Sequence, residues 1–347
     1  MVLGRALYDS KGILVFEPRT TLTEENLKSL NIYGVGEILI EDPRVTDVPV
    51  QPLIAPELEG EAVQALRQLM TESQGSRTMS ASLLEEAAKP VYAMTRDLFP
   101  DVIGEPNASG CHSPEDYNYV QPVKVAGLAL FLGRKTGYTL VNLASLGIAA
   151  LLMNIGYVVL PPKAVSQAES LTEKEYQEFH KHPWYGSEIV KRFGALDPRV
   201  SEAIFHHHER WDGHGHPKGL KEEEISHFGR ILAIADTYYD LVSTRPHRKA
   251  LMPHQAVEFI MAYAAELFDP DLVQLFARQI PIYPTGVTVK LNTGEVGIVS
   301  DANLGNIGRP MVRICFDDEQ QEVAEPYDLD LSDPEHQDRL VEQVLEY

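Results

Sequence analysis

At 347 residues with 44% hydrophobic side chains, the chain can bury a sizeable core, and wholesale disorder is excluded. A formal charge of −21 excludes a duplex-nucleic-acid surface, because that affinity rests on neutralising phosphates with Lys and Arg. A small anion held by a few local arginines is still allowed. The two cysteines, Cys111 and Cys315, lie far apart without metal-type spacing, which argues against a disulfide framework or a cysteine zinc site and fits a reducing cytoplasm.

Residues 1–45 read as a small mixed unit. "ILVFEP" and "GEILIED" have strand character, and "TLTEENLKSLNIYG" between them reads as a helix with Thr23 as N-cap, Glu24 and Glu25 in the first turn and Gly34 near its end. The start, "MVLGRALYDSKG", lacks the apolar core of a signal peptide, so a cytoplasmic location is expected. Residues 46–115 combine a proline-rich connector with amphipathic helix, interrupted by the polar "ESQGSRTMSAS" and closed by "GEPNASGCHSPED". Residues 116–284 are strongly helical. "YVQPVKVAGLALFLGRKTG", "PWYGSEIVKRFG" and "SHFGRILAIADTYYDLVS" repeat apolar residues every three or four positions. The uncharged "LASLGIAALLMNIGYVVL" is nearly long enough to cross a bilayer, but Asn154, Gly156 and Pro161-Pro162 break it, so a buried helix and short loop are expected and no membrane partner. Residues 285–347 read as a small antiparallel β unit with a Thr-Gly turn, followed by a terminal helix in "DPEHQDRLVEQVLEY".

The stretch "HHHERWDGHGHP", positions 206–217, holds five histidines beside Glu209 and Asp212. Histidine is the commonest metal ligand. The bland reading puts His206, His214 and His216 at a loop surface, makes Glu209, Arg210 and Asp212 loop-fixing residues, and leaves Tyr238 and Tyr239 in the core or at its rim.

"FHHHERWDGHGHPKGL", followed by "RILAIADTYYDLVSTRPHRKA" and preceded by "KHPWYG", resembles the HD-GYP family of bacterial cyclic di-GMP phosphodiesterases in both order and spacing. The resemblance implies a mainly α protein, an HD-type helical bundle carrying the small α/β unit in front and the small β unit behind. It also implies two or three metal ions, commonly iron or manganese, that bind and cleave a phosphodiester. His182, His207, His208 and Asp236 match family metal-ligand positions, and Arg245 and Arg248 match phosphate-contacting positions. The tyrosine of the GYP motif is His216 here, which keeps that residue among the ligand-binding candidates.

Other family positions have changed. An early metal histidine falls on Gln121. The histidine and aspartate that name the fold fall on Met153 and Asn154 of "ALLMNIGY", and a phosphate-contacting lysine falls on Tyr157. A glutamine oxygen is a weaker ligand than imidazole, thioether sulfur suits Cu(I), and a carboxamide brings no charge to bridge two cations. The resemblance therefore implies a degenerate member without efficient phosphodiesterase activity, acting as a regulatory or scaffolding module and a candidate nucleotide sensor. Two alternatives stand beside it: an active enzyme with a reduced or unusual metal site, and a structural interaction module that binds no nucleotide. The cofactor expectation is no metal, or one weakly bound divalent ion (iron, manganese or zinc) on His182, His207 and Asp236. His207 and His208, neighbours on a presumed helix, would then diverge. Expected partners are cyclic di-GMP and unidentified proteins, with a homodimer left open.

Overall fold

The computed structural model describes the chain apart from residues 5, 9–13, 33–37, 39, 49–51, 98–115, 167–170, 244–247, 307 and 346–347. Arg245, Cys111, Gly34 and most of "GEPNASGCHSPED" therefore lie outside the described residues.

Strands β1 (Leu7–Tyr8) and β2 (Leu14–Phe16) pair antiparallel ahead of helix α1 (Glu24–Ile32). Thr23 caps α1: its hydroxyl accepts from the Asn26 N–H at 3.2 Å, and its own N–H donates to Asn26 Oδ1 at 3.0 Å. The expected strand at 36–42 is represented, among the described residues, by a single bridge between Leu3 and Ile40. Leu3, Leu7, Leu22 and Leu30 close a small core of their own.

The helical body follows. Helix α2 (Pro56–Glu72) starts on a proline and buries Ala62, Val63, Leu66, Leu69 and Met70, a stripe at helical spacing. It packs on α3 (Ala81–Asp97), the polar interruption falling between the two. Two central helices, α4 (Tyr117–Lys135) and α5 (Leu140–Leu152), are apolar almost all round because neighbours cover every side. The segment Leu140–Val159 is long and apolar enough to pass as a membrane span, yet 78% of it is buried inside the bundle. Beyond α5 come a 3-10 turn (Ile155–Val159), short helices α6 (Pro162–Ser166) and α7 (Glu173–Phe179), then α8 (His182–Phe193) and α9 (Pro198–His206). Helix α10 (His227–Val242) lies against α4 and α9 with Tyr238 and Tyr239 fully buried, and α11 (Pro253–Ala262) and α12 (Pro270–Ala277) complete the body.

The chain ends in an antiparallel five-stranded sheet ordered β6-β5-β4-β3-β7: β3 (Thr288–Leu291), β4 (Val296–Asp301), β5 (Met311–Phe316), β6 (Glu322–Asp330) and β7 (Val341–Val344). Gly294, at φ 106°, makes the β3–β4 turn that its Thr-Gly pair predicts. The expected terminal helix is not formed. Residues 334–336 make a 3-10 turn, and β7 pairs with β3 in the register Val289↔Val344. A free sheet edge offers backbone partners and apolar neighbours, and these outweigh the helix propensity of Glu, Gln and Leu. The sheet is tied to the amino-terminal connector by Arg313, which reaches the Arg44 carbonyl at 3.2 Å and the carboxylates of Asp47 and Asp328.

Candidate metal centre

Two histidines define the site through the hydrogen bonds they make on their far sides. His182 opens α8, and its Nδ1 lies 2.9 Å from the Phe179 carbonyl oxygen. His207 caps α9, with Nδ1 2.7 Å from the Ile204 carbonyl oxygen. A carbonyl only accepts, so both rings carry their proton on Nδ1 and present a bare Nε2 lone pair. Those two Nε2 atoms face each other at 3.4 Å in a fully buried space. Two lone pairs at that distance repel unless a proton or a metal ion lies between them. A proton is disfavoured, since burial pushes His207 down to about 4 and His182 well below the ordinary imidazole range. A metal fits: 3.4 Å is the edge of a tetrahedron of donors about 2.1 Å from its centre.

His208 completes the set. The ligand atoms of His182, His207 and His208 all lie within 4.8 Å of one another. The expected divergence of His207 and His208 does not occur: at the end of α9, with His207 as its C-cap, their rings lie 4.1 Å apart. Among the described residues the set is three neutral imidazoles, which can hold one divalent ion and act as its basic, preorganised ligands.

Asp236, expected as a ligand, is not in this triplet. Its Oδ1 accepts a 2.6 Å hydrogen bond from the buried Gln121 amide. Met153 is wholly buried in the apolar core. Asn154 is buried, and its Oδ1 has no hydrogen-bond partner among the described residues. The turn bearing these residues approaches α8 closely at Gly156, where a Cβ would stand 2.0 Å from the His182 carbonyl oxygen. Two glycines, Gly156 and Gly186, let the two backbones meet and set Tyr157 over the site, its ring 4.7 Å from His182 and 5.5 Å from Phe179.

The loop after α9 is built as a fixed frame. Buried Glu209 accepts from the backbone N–H of Lys218 at 2.7 Å and of Leu220 at 2.9 Å. Asp212 accepts from Arg210 and from the His214 N–H, so Glu209, Arg210 and Asp212 do fix the loop. The surface reading of the remaining histidines holds only for His214, whose side chain is 80% exposed. His206 is buried, and its Nδ1 accepts from the Ser226 N–H at 3.0 Å, so its proton sits on Nε2, the opposite tautomer to His207. It props the start of α10, where Ser226 is the N-cap. His216 stacks on His208 at 4.9 Å with its Nε2 buried. Burial, then the neighbouring imidazoles, brings His216 down to about 3. A further ring, His180, meets His216 edge-on at 4.3 Å. Sequence reasoning missed His180, although its place two residues before His182 in "FHKHP" was a usable signal. Of the two candidate phosphate contacts, Arg245 lies outside the described residues. Arg248 Nη1 is held 3.1 Å from Asp240, which also accepts from Tyr117 at 3.0 Å.

Comparison with known proteins places the chain in a family. The HD domain family matches residues 80–272, and a KOW domain associated with HD domains matches residues 288–337. A cyclic di-GMP phosphodiesterase of Pseudomonas aeruginosa is 26% identical over 350 residues, covering 92% of this chain and 83% of that protein. A cyclic di-GMP phosphodiesterase of Thermotoga maritima is 29% identical over 198 residues, covering 56% of this chain and 53% of that protein. The chain thus spans most of the first relative and about half of the second. In fold it resembles an HD-GYP-type protein of Bdellovibrio bacteriovorus, with a TM-score of 0.51 at 15% identity over 80% of this chain and 94% of that one. With a family match over more than half its length, the chain belongs to the HD domain family, as a relative of cyclic di-GMP phosphodiesterases.

Proposed function

We propose that this protein is a regulatory or scaffolding module of cyclic di-GMP signalling without efficient phosphodiesterase activity, built around one divalent ion on His182, His207 and His208. The observation that carries the reading is the 2.6 Å hydrogen bond from Gln121 to Asp236, beside a neutral Asn154 where the family resemblance expects a carboxylate. A two-metal reaction needs anionic oxygens that bridge the ions and lower their repulsion. Here one candidate carboxylate is engaged by an amide and the other is replaced by one.

When bound, a single ion would supply Lewis acidity at the triplet, and the relatives' activity makes slow hydrolysis the competing reading. Metal analysis of protein purified without chelators, together with turnover of cyclic di-GMP in added manganese or iron, separates the two. The expected result is bound metal that is lost in His207→Ala, with no turnover. Turnover that His207→Ala abolishes would overturn the proposal. Sensing is tested by titration calorimetry with cyclic di-GMP on Arg248→Ala and the parent chain. The Arg248–Asp240 pair predicts that any binding releases or shares that contact.

A further inference from the structure

We infer that His216 supplies a fourth imidazole to the ion held by His182, His207 and His208, closing the site and turning an open catalytic position into a sealed structural one. The inference rests on the reading that the triplet binds metal, and it goes beyond that reading in saying what occupies the remaining position.

His216 is placed for this role by several independent contacts. Its ring lies nearly parallel to His208, at 4.9 Å and 26°. Its backbone N–H donates to the His208 carbonyl oxygen at 3.1 Å, so the loop folds back onto the segment that carries two of the ligands. Neighbouring Gly215 is pressed against that same segment: a Cβ there would stand 2.3 Å from the Arg210 nitrogen and 2.5 Å from the Glu209 Cα. His180 packs behind the ring at 4.3 Å. Inside this frame the Nε2 of His216 is buried and has no hydrogen-bond partner among the described residues. A buried polar nitrogen without a partner is costly in an ordinary core, so one on a ring stacked against the ligand His208 calls for a ligand.

His216 does not belong to the set whose ligand atoms lie within 4.8 Å of one another, so coordination requires its side chain to turn along the face of His208. Four-coordinate closed sites are the structural class of zinc centre, whereas catalytic sites keep one position for water or substrate. A fourth imidazole therefore explains in one step why a chain that keeps three ligands need not keep hydrolysis.

Cobalt(II) is the probe, because its visible absorption is strong in four-coordinate tetrahedral sites and weak with five or six ligands. The cobalt-loaded protein should show the strong tetrahedral bands, and added azide should leave them unchanged because no position is open. His216→Phe preserves the stacking ring and removes the nitrogens. Its bands should weaken and become azide-sensitive, and zinc affinity measured by chelator competition should fall by more than the roughly 10–100-fold that loss of an outer-shell partner brings. His214→Ala, at the exposed neighbour, should match the parent chain. Azide-sensitive, weak bands in the unaltered protein would overturn the inference without any variant and leave the triplet reading intact. A chain that binds neither cobalt nor zinc would remove both.

Discussion

Gly156→Ala tests whether the backbone contact between the 3-10 turn and α8 is what assembles the site. The new Cβ would sit 2.0 Å from the His182 carbonyl oxygen and 2.8 Å from the Gly186 nitrogen, and both are backbone atoms. A carbon–oxygen contact relaxes only near about 3.3 Å, so roughly 1.3 Å must be recovered by moving whole elements apart rather than by rotating a side chain. Overpacking a core costs about 1–3 kcal/mol when side chains can adjust, and backbone on both sides places this change at about 3 kcal/mol. For a domain of this order that is a fall in Tm of about 6–12 °C. Gly137→Ala is the control. It has φ +84° and nothing within 4 Å of the added Cβ, so it carries left-handed strain without a clash. That strain alone costs about 1–2 kcal/mol. Thermal melts followed by circular dichroism compare the two, and zinc affinity should fall only in Gly156→Ala, because His182 moves with α8. If Gly156→Ala melts no lower than Gly137→Ala and keeps its zinc affinity, close approach at this point does not organise the site.

Two further outcomes are expected. In chelator-treated protein, stability to urea should fall on acidification, because His206 and His207 are held at about 4 in the folded chain against 6.5 when free. Below 6.5 the unfolded chain takes up protons that the folded chain refuses, so this stability is complete above pH 6.5 and is lost as pH falls toward 4, by about 2 kcal/mol per ring between about pH 7 and about pH 5. Urea midpoints that stay level across that interval would contradict the buried, neutral assignment. In the second, the combined variant Gln121→His/Met153→His/Asn154→Asp restores the ligand types that the family resemblance expects. It should take up a second ion by metal analysis, whereas Gln121→His alone should not.

Much of the fold was legible because its signals are local. Thr23 before two glutamates caps α1, a proline opens α2, and the Thr-Gly pair makes the β3–β4 turn. The uncharged stretch near residue 150 lies inside the bundle as its pattern predicts, with the α-helix ending at Leu152 and Asn154 opening the 3-10 turn that follows. What failed depended on partners distant in sequence. The tail Val341–Val344 became a strand because β3 had a free edge, which nothing within "VEQVLEY" announces. Within the site, residue types were readable but tautomers and allegiances were not. His206 and His207 are consecutive, yet one accepts from a backbone N–H and the other donates to a backbone carbonyl, so only the second offers Nε2 to a metal. For His216 the pattern leaves two readings, a loop surface and a ligand-binding position. Glu209, buried in the same loop, folds it inward.

The departures from the family pattern that the resemblance implies are unequal, and charge decides which of them matters. Two divalent ions about 3.7 Å apart repel by about 18 kcal/mol at an effective dielectric of about 20. Neutral donors do nothing to that figure, whether they are imidazole at His207, amide at Gln121 or thioether at Met153. A carboxylate touching both ions attracts each and offsets the whole repulsion, so replacement by Asn154 removes something that no number of added histidines can return. A single ion faces no such barrier, and three neutral rings, two of them held in a fixed tautomer by backbone carbonyls, suffice to bind it. Extra imidazoles at His180 and His216 therefore fit the proposed one-ion site, because they add donors where no second charge has to be offset.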